Sequence, residues 1–170
     1  MRSLTLIPLL ALALNACAMD DEDFDPADYE VTEEDLAEDD AFNTLANDSK
    51  ADAALTYTAV AKLAKAAGVA CTGERIAIAV AVAKAESGFR PDATNTAGNA
   101  HGIDRGLWQV NSYWHPEVSK TCALSPSCNA RAMYNISKKG TYWKPWWTYV
   151  NKKHVPFMSQ ARGAQNAVCP

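Results

Sequence analysis

The sequence predicts an α+β domain that is mostly helical, with a small antiparallel β-sheet beside an active-site cleft. Two observations carry this prediction. Apolar residues recur at helical spacing through residues 76–87 and again in segments before and after. Between these segments, residues 91–112 are rich in glycine, asparagine and aspartate, which is typical of turns and a short hairpin.

The first predicted helix lies near residues 49–67. Its apolar positions include Leu55, Val60 and Leu63, and Gly68 follows as a stop signal. Ser49 and Asp52 have the spacing of a capping box, which favours a helix start close to Ser49.

The second predicted helix ends in a carboxyl group. Ile76, Ala79, Val80 and Ala83 fall at i, i+3, i+4 and i+7, and Glu86 continues the same apolar stripe. Gly88 suits the left-handed position that ends a helix. Partial burial and the negative potential of a helix C-terminus both disfavour a carboxylate, so we expect a raised pKa for Glu86. The alternative is an ordinary surface glutamate in the last helical turn.

A second carboxyl group, Asp104, follows Glu86 by 18 residues in the turn-rich segment. Cleaving a glycosidic bond needs one protonated carboxyl to donate to the leaving oxygen, and it usually needs a second, ionised carboxylate. A helix end and a polar turn are different environments, which is how such pairs divide these roles.

Two further helices are predicted after the turns. One covers residues 129–138 and is ended by Gly140; the other begins at Pro145 and runs through Val150.

Three motifs resemble the active-site stretch of the lysozyme-like superfamily. They are Glu86-Ser87-Gly88-Phe89, Ala93-Thr94-Asn95, and the run from Asp104 to Ser112. The pattern is closest to c-type lysozymes and is also similar to transglycosylase-like peptidoglycan-cleaving domains. The resemblance covers residues 74–150. It implies a lysozyme-like fold in which Glu86 is the general acid and Asp104 is the nucleophile or charge stabiliser.

The resemblance also implies a reaction. The expected enzyme is a glycosidase that cleaves the β-1,4 bond between N-acetylmuramic acid and N-acetylglucosamine, with no cofactor and no metal. Many lytic transglycosylases carry only the glutamate, so Asp104 favours hydrolysis over the anhydro-sugar reaction. A wall-binding lipoprotein without catalysis is a third possibility. Two departures stand out: Arg105 replaces the usual aromatic residue, and the eight-cysteine framework of c-type lysozymes is absent.

Aromatic and amide side chains cluster around and after Asp104. Sugar rings present apolar faces with polar rims, which aromatic platforms and amides match. We therefore predict that substrate is bound by six residues: Trp108, Gln109, Asn111, Tyr113, Trp114 and Trp143. About half of the aromatic residues should be structural, with Trp146 or Trp147 packed inward. By analogy with the family, the two amides could instead bond the scaffold around the turn. The three histidines, His101, His115 and His154, are expected in surface or loop positions.

Four cysteines predict two disulfides, because an even number in an exported domain usually pairs. The short spacing favours Cys122–Cys128, and Cys71–Cys169 follows by exclusion. Free buried thiols are the alternative. The spacing does not match a zinc site.

The N-terminal residues are expected to direct export. Residues 4–13 form an apolar run after Arg2, too short for a membrane span and typical of a signal peptide. Leu14-Asn15-Ala16-Cys17 resembles a lipobox, which predicts lipidation of Cys17. Cleavage after Ala18 is the alternative and would give a secreted protein. The predicted organisation is a signal peptide over residues 1–17, an acidic tether over 18–44 and a catalytic domain over 45–170.

Charge divides the chain in the same place. Residues 18–40 contain thirteen acidic residues and no lysine or arginine, so we expect them to stay disordered. Residues 41–170 contain fifteen basic and seven acidic residues, a net charge of +8. A basic domain suits a polyanionic partner such as peptidoglycan. We expect a monomer that binds glycan strands, meets a membrane only through its lipid anchor and binds no nucleic acid.

Overall fold

The computed structural model describes residues 54–96 and 101–170. The predicted signal peptide, the lipidation site Cys17, the acidic tether and the capping box at Ser49 lie outside these residues. The described elements are α1 (Tyr57–Ala66), α2 (Arg75–Ser87), β1 (Thr94–Asn95), β2 (Asp104–Arg105), β3 (Val110–Asn111), α3 (Lys120–Leu124), α4 (Pro126–Ile136), α5 (Trp147–Val150), a 3-10 helix (Val155–Phe157) and α6 (Met158–Val168).

Helix α1 begins later than the sequence suggested. Its N-cap is Thr56, whose hydroxyl oxygen accepts a 3.1 Å hydrogen bond from the backbone N–H of Ala59. This bond satisfies one of the free donors at a helix start. Leu55 therefore precedes the helix, and its N–H donates to the Phe89 carbonyl just beyond the end of α2.

Helix α2 has the predicted boundaries and is the buried centre of the fold. Residues 76 and 77 and residues 79–83 have no exposed surface, and α1 and α6 both pack against this helix. Gly88 ends it with a φ of 65°, the left-handed conformation expected there.

Helix α6 was not predicted, and it secures the start of α2. The side chain of Gln165 accepts a 2.8 Å hydrogen bond from the N–H of Ala77 and donates to the carbonyl of Gly73 at 2.7 Å. It replaces a cap that Glu74, the residue before α2, does not supply through its own side chain. The disulfide Cys71–Cys169 joins the same two regions.

The predicted hairpin is a three-stranded antiparallel sheet in the order β1-β2-β3. Asp104 lies opposite Asn95 on one side and Asn111 on the other. The central strand therefore holds the second candidate carboxyl between two neighbours.

The remaining helices differ modestly from prediction. Pro126 occupies the first turn of α4, so this helix begins three residues before the predicted position. The disulfide Cys122–Cys128 links α3 to α4, and α5 begins at Trp147 rather than Pro145. The fold class is the predicted one, α+β and mostly helical. Among the described residues, no helix is long and apolar enough to span a membrane.

Candidate active site

Glu86 and Asp104 line the same cleft, which has a volume of about 480 Å³. Glu86 comes from the last turn of α2, and Asp104 comes from the central strand of the sheet. The remaining lining comes from β3 and the residues on either side of it, from Ile136 at the end of α4, and from the segment that leads into α5. The two carboxyl groups therefore stand on different layers of the fold and face one space.

The environment of Glu86 favours the protonated form. Its burial raises the pKa above the ordinary value for a glutamate, and the negative charge of Asp104 raises it further. A hydrogen bond from the Thr148 hydroxyl to Glu86 Oε1, 2.5 Å long, acts in the opposite direction because it stabilises the carboxylate. Burial is the largest of these effects, and the pKa is raised as predicted.

Asp104 is half-buried and oriented by Asn111. The Nδ2 group of Asn111 donates to Asp104 Oδ1 at 2.7 Å and also to the carbonyl of His101 at 3.1 Å. The amide oxygen of Asn111 accepts from the backbone N–H groups of Tyr113 and Trp114. The whole amide group is thus used to hold Asp104 and the following turn in place.

Ser87 joins the segments that carry Glu86 and Asp104. Its hydroxyl donates to the carbonyl of Leu107 at 2.9 Å and to that of Ala83 at 3.2 Å, and it accepts from the N–H of Phe89. The bond to Leu107 ties the end of α2 to the turn after Asp104. The pair Glu86-Ser87 therefore combines a functional carboxyl with its anchoring hydroxyl.

Asn129, which is fully buried in α4, holds the turn from the other side. Its Oδ1 accepts from the N–H of Trp108 at 2.9 Å, and its Nδ2 donates to the carbonyls of Arg105 and Ala123. Gly106 lies against it with a φ of 76°, and a Cβ atom there would be 2.0 Å from the Ala123 carbonyl oxygen. Only glycine fits this close approach.

Trp108 is not available to substrate, which corrects the sequence prediction. Its side chain has no exposed surface, and its Nε1 donates to the carbonyl of Ala79 in α2 at 2.9 Å. Trp146 donates from its own indole to the Trp108 carbonyl. Trp108 therefore supports the turn from the core of the domain. Its large ring fills apolar space there, and its indole N–H has a hydrogen-bond acceptor.

Trp143 requires the same correction. It is 3% exposed, its indole donates to the Gly140 carbonyl, and its ring packs against that of Trp146 at 5.1 Å. As expected, one of the adjacent pair packs inward: Trp146 is buried, while Trp147 is 65% exposed.

Gln109 and Asn111 both line the cleft, yet their amides are engaged by the scaffold. Gln109, with a φ of 48°, donates from Nε2 to the carbonyls of Gly106 and Ala93. The alternative interpretation of these amides, as scaffold bonds around the turn, matches the observed contacts.

Exposed aromatic rings remain at the cleft. Trp114 and Trp147 both line it and are 67% and 65% exposed. Tyr113 is also exposed; its ring stacks on His101 and meets Trp114 edge to face at 4.8 Å. Trp114 follows the sheet and Trp147 opens α5, so different segments of the chain supply the two tryptophans.

The three histidines lie outside the helices and strands, in the surface or loop positions that were predicted. His101 is exposed, and His115 lines the cleft and lies 3.1 Å from Glu117. His154 lies in the turn after α5, where it is buried and stacks on Tyr149 with 4.6 Å between ring centroids. A flat, partly apolar ring is accommodated there by the aromatic face of its neighbour.

Sequence reasoning missed Thr148, Asn129 and the exposure of Trp147. Thr148 lies 62 residues from the carboxyl it bonds, and Asn129 bonds the turn from 21 and 24 residues away. No local pattern marks such partners. The one signal in the sequence for these partners was Asn129, an asparagine within an apolar helical stretch, since a buried amide group needs hydrogen-bonding partners.

Comparison with known proteins agrees with this geometry. A family model described as a lysozyme like domain matches residues 61–148, slightly more than half of the chain. No curated protein and no solved structure matches the chain. The described residues contain no cluster of histidine, cysteine, aspartate or glutamate that could hold a metal ion. The matched residues include both candidate carboxyl groups and every element that lines the cleft, and the chain belongs to the family of lysozyme-like domains.

Proposed function

We propose that this protein is a peptidoglycan glycosidase of lysozyme type. Lysozyme-like domains are generally glycosidases or transglycosylases that act on peptidoglycan. The finer proposal is hydrolysis of the β-1,4 bond between N-acetylmuramic acid and N-acetylglucosamine. The observation that carries it is a cleft lined by two carboxyl groups, one of which has its pKa raised by burial.

Glu86 is proposed as the general acid. A carboxyl that retains its proton at higher pH can donate it to the glycosidic oxygen as the bond to the leaving sugar breaks. The hydroxyl of Thr148 donates to Oε1 and so orients the carboxyl group at the cleft.

Asp104 is proposed as the second carboxylate. Asn111 holds its Oδ1, and strand pairing on both sides fixes its backbone. A carboxylate in this position stabilises the positive charge that develops on the sugar ring, or attacks it directly. Water then completes the reaction and yields a reducing end.

Sugar binding is assigned mainly to Trp114 and Trp147. Both line the cleft with most of their indole surface exposed, and apolar sugar faces pack well on such rings. Tyr113 extends the Trp114 side. Gln109 and Asn111 act chiefly by holding the turn, because scaffold bonds already use their amide groups.

The test is a pair of matched variants on one helix. Glu86→Gln should reduce wall lysis by roughly 10² to 10⁴, the usual contribution of a general acid. Glu74→Gln, at the opposite end of α2, loses only an exposed contact with Arg162 and should lyse normally. Near-normal lysis by Glu86→Gln would exclude this residue as the acid.

The products distinguish hydrolysis from transglycosylation. In water enriched in heavy oxygen, hydrolysis labels the new reducing end, whereas transglycosylation gives an unlabelled 1,6-anhydro sugar. Asp104→Asn should also lose most activity if Asp104 is the second carboxylate. Anhydro products from an active Asp104→Asn variant would replace the hydrolase proposal with a lytic transglycosylase.

Export to the cell envelope is part of the proposal. Peptidoglycan-acting domains of this family typically work outside the cytoplasm. The lipobox-like sequence ending at Cys17 supports attachment to a membrane at that location.

A further inference from the structure

The C-terminal part of the domain is rich in positive charge. Residues 118–170 contain eight basic residues and no acidic residue. Five of these basic residues are exposed lysines in the segment that includes Trp147 and the residues around it. We call these five residues the lysine face: Lys138, Lys139, Lys144, Lys152 and Lys153.

Three of these lysines lie near cleft residues, or near the residue that contacts Glu86, along the chain. Lys144 precedes the cleft residue Pro145, and Lys138 follows the cleft residue Ile136 by two positions. The backbone N–H of Lys153 donates to the carbonyl of Thr148, the residue whose hydroxyl contacts Glu86. The lysine face therefore borders the site where a glycan strand would lie.

Three of the five lysines adopt a backbone conformation that does not favour lysine. Lys138, Lys139 and Lys152 have φ values of 48°, 63° and 57°. Glycine and asparagine adopt this left-handed region more readily, so stability alone would favour them here. Residues held in unfavourable backbone regions are often functional, and the feature shared by these three is a positive charge.

Carboxylates in the described part of the chain do not pair with this charge. None of the five lysines forms an ion pair there; the Lys138 ammonium group lies 5.7 Å from the centre of the Tyr142 ring. Arg162, by contrast, is paired with Glu74. The exposed ammonium groups of the lysine face are therefore accessible to an anionic partner.

We propose that the lysine face binds the carboxylates of the peptide stems attached to the glycan strand in the cleft. The inference rests on the proposed function and adds a second recognition element to it. Peptide stems project from the same strand and carry free carboxylates, so they would come close to the border of the cleft. Lysine suits such mobile groups because its compact charge is carried on a flexible chain and needs no fixed two-point geometry.

The experiment measures binding separately from catalysis. All proteins carry Glu86→Gln, and calorimetry gives their Kd for soluble glycan strands with stems and for the same strands after an amidase has removed them. The test variant is Lys139→Asn with Lys152→Asn. The control is Lys62→Gln with Lys65→Gln, which removes the same charge from α1, a helix that does not line the cleft.

At low salt, the test variant should bind stem-bearing strands about three- to tenfold more weakly, the range expected for two exposed charge contacts. Added salt should narrow the difference. Stripped strands should be bound equally by all proteins. The melting temperature of the test variant should not fall, because asparagine suits a left-handed backbone.

Two results would overturn the proposal. An equal loss on stripped strands would assign the lysines to the glycan itself. No difference from the control would leave the lysines as solubilising charge. Lysis by the parent Glu86 protein tests the proposed function independently, since the calorimetry does not require catalysis.

Discussion

The hydroxyl of Thr148 donates a 2.5 Å hydrogen bond to Oε1 of Glu86, joining α5 to the end of α2 across 62 residues of sequence. This bond opposes the two effects that raise the Glu86 pKa, which are burial and the nearby charge of Asp104. The protonation of Glu86 therefore depends on groups from two sides of the cleft. Each side can be altered without touching Glu86 itself.

Thr148→Val should raise the pKa of Glu86 further. Valine has nearly the same shape but cannot donate, so the carboxylate loses a bond that favours its ionised form. If Glu86 must be protonated to act, activity falls as pH rises through its pKa. The alkaline limb of the pH–kcat profile should thus move to higher pH. Thr148→Ser keeps a donor and should retain the parental limb, and a shift to lower pH in Thr148→Val would contradict this account.

Asp104→Asn should have the opposite effect on the pKa of Glu86. Removing a negative charge near Glu86 makes its ionisation easier, so the pKa of Glu86 should fall. Because this variant is expected to be nearly inactive, the titration is followed by carbon NMR of labelled glutamate side chains. Asp92→Asn, a change outside the residues that line the cleft, is the control and should leave the Glu86 titration where it was. An unchanged titration in Asp104→Asn would show that the two carboxyl groups do not interact.

The parts of the site that sequence could predict are local ones. The stripe leading to Glu86 and the stop at Gly88 depend on a few neighbouring residues, and the structure has both as predicted. Thr148 could not be found in this way, because its role depends on how α5 packs across α2. Tertiary contacts of short, sharply turned segments bring residues such as Thr148 to the site. Such contacts leave no periodic pattern of apolar residues in the sequence.

Helix α6 and the tryptophans show the same limit. The buried positions of α6 include two alanines and carry no strong start signal, so its pattern is weak. Trp108 lies close to Asp104 in sequence, and its neighbours Gln109 and Asn111 do face the cleft. Its own ring instead points toward α2, where it finds a carbonyl to bond. Trp108 is structural because its ring is buried, and the spacing of neighbouring residues in the sequence does not reveal that burial.

Asn129→Ala should destabilise the turn that follows Asp104. The change leaves the Trp108 N–H and the Arg105 and Ala123 carbonyls without their buried partner. Each lost partner is costly inside a protein, and we expect a loss of about 2 to 4 kcal/mol in the free energy of unfolding. Denaturant unfolding measures it. Asn135→Ala, on the exposed side of the same helix, should cost far less, and equal losses would show that the buried network does not stabilise the fold.

The two disulfides should differ in their contribution to stability. Cys71–Cys169 joins residues 98 apart, while Cys122–Cys128 spans only six. In the chain-entropy model, replacing both cysteines of the long bridge by serine should cost about 4 to 5 kcal/mol, and of the short bridge about 2 kcal/mol. Unfolding curves of the two double variants give the comparison. A larger loss from the short bridge would mean that strain or local structure outweighs loop closure.

Cys17 should carry a lipid that holds the enzyme at a membrane. The prediction depends on the apolar run of residues 4–13 and on Leu14-Asn15-Ala16-Cys17, which resembles a lipobox. Metabolic labelling with a fatty acid should mark the parent protein, and fractionation should find it with membranes. Cys17→Ala leaves a run of small residues suited to ordinary signal cleavage, so this variant should appear as a soluble, unlabelled protein with unchanged lysis. Cys17 is the right residue to alter because Cys71, Cys122, Cys128 and Cys169 are all engaged in disulfides. A parent protein found soluble, unlabelled and beginning at Met19 would instead establish a secreted enzyme.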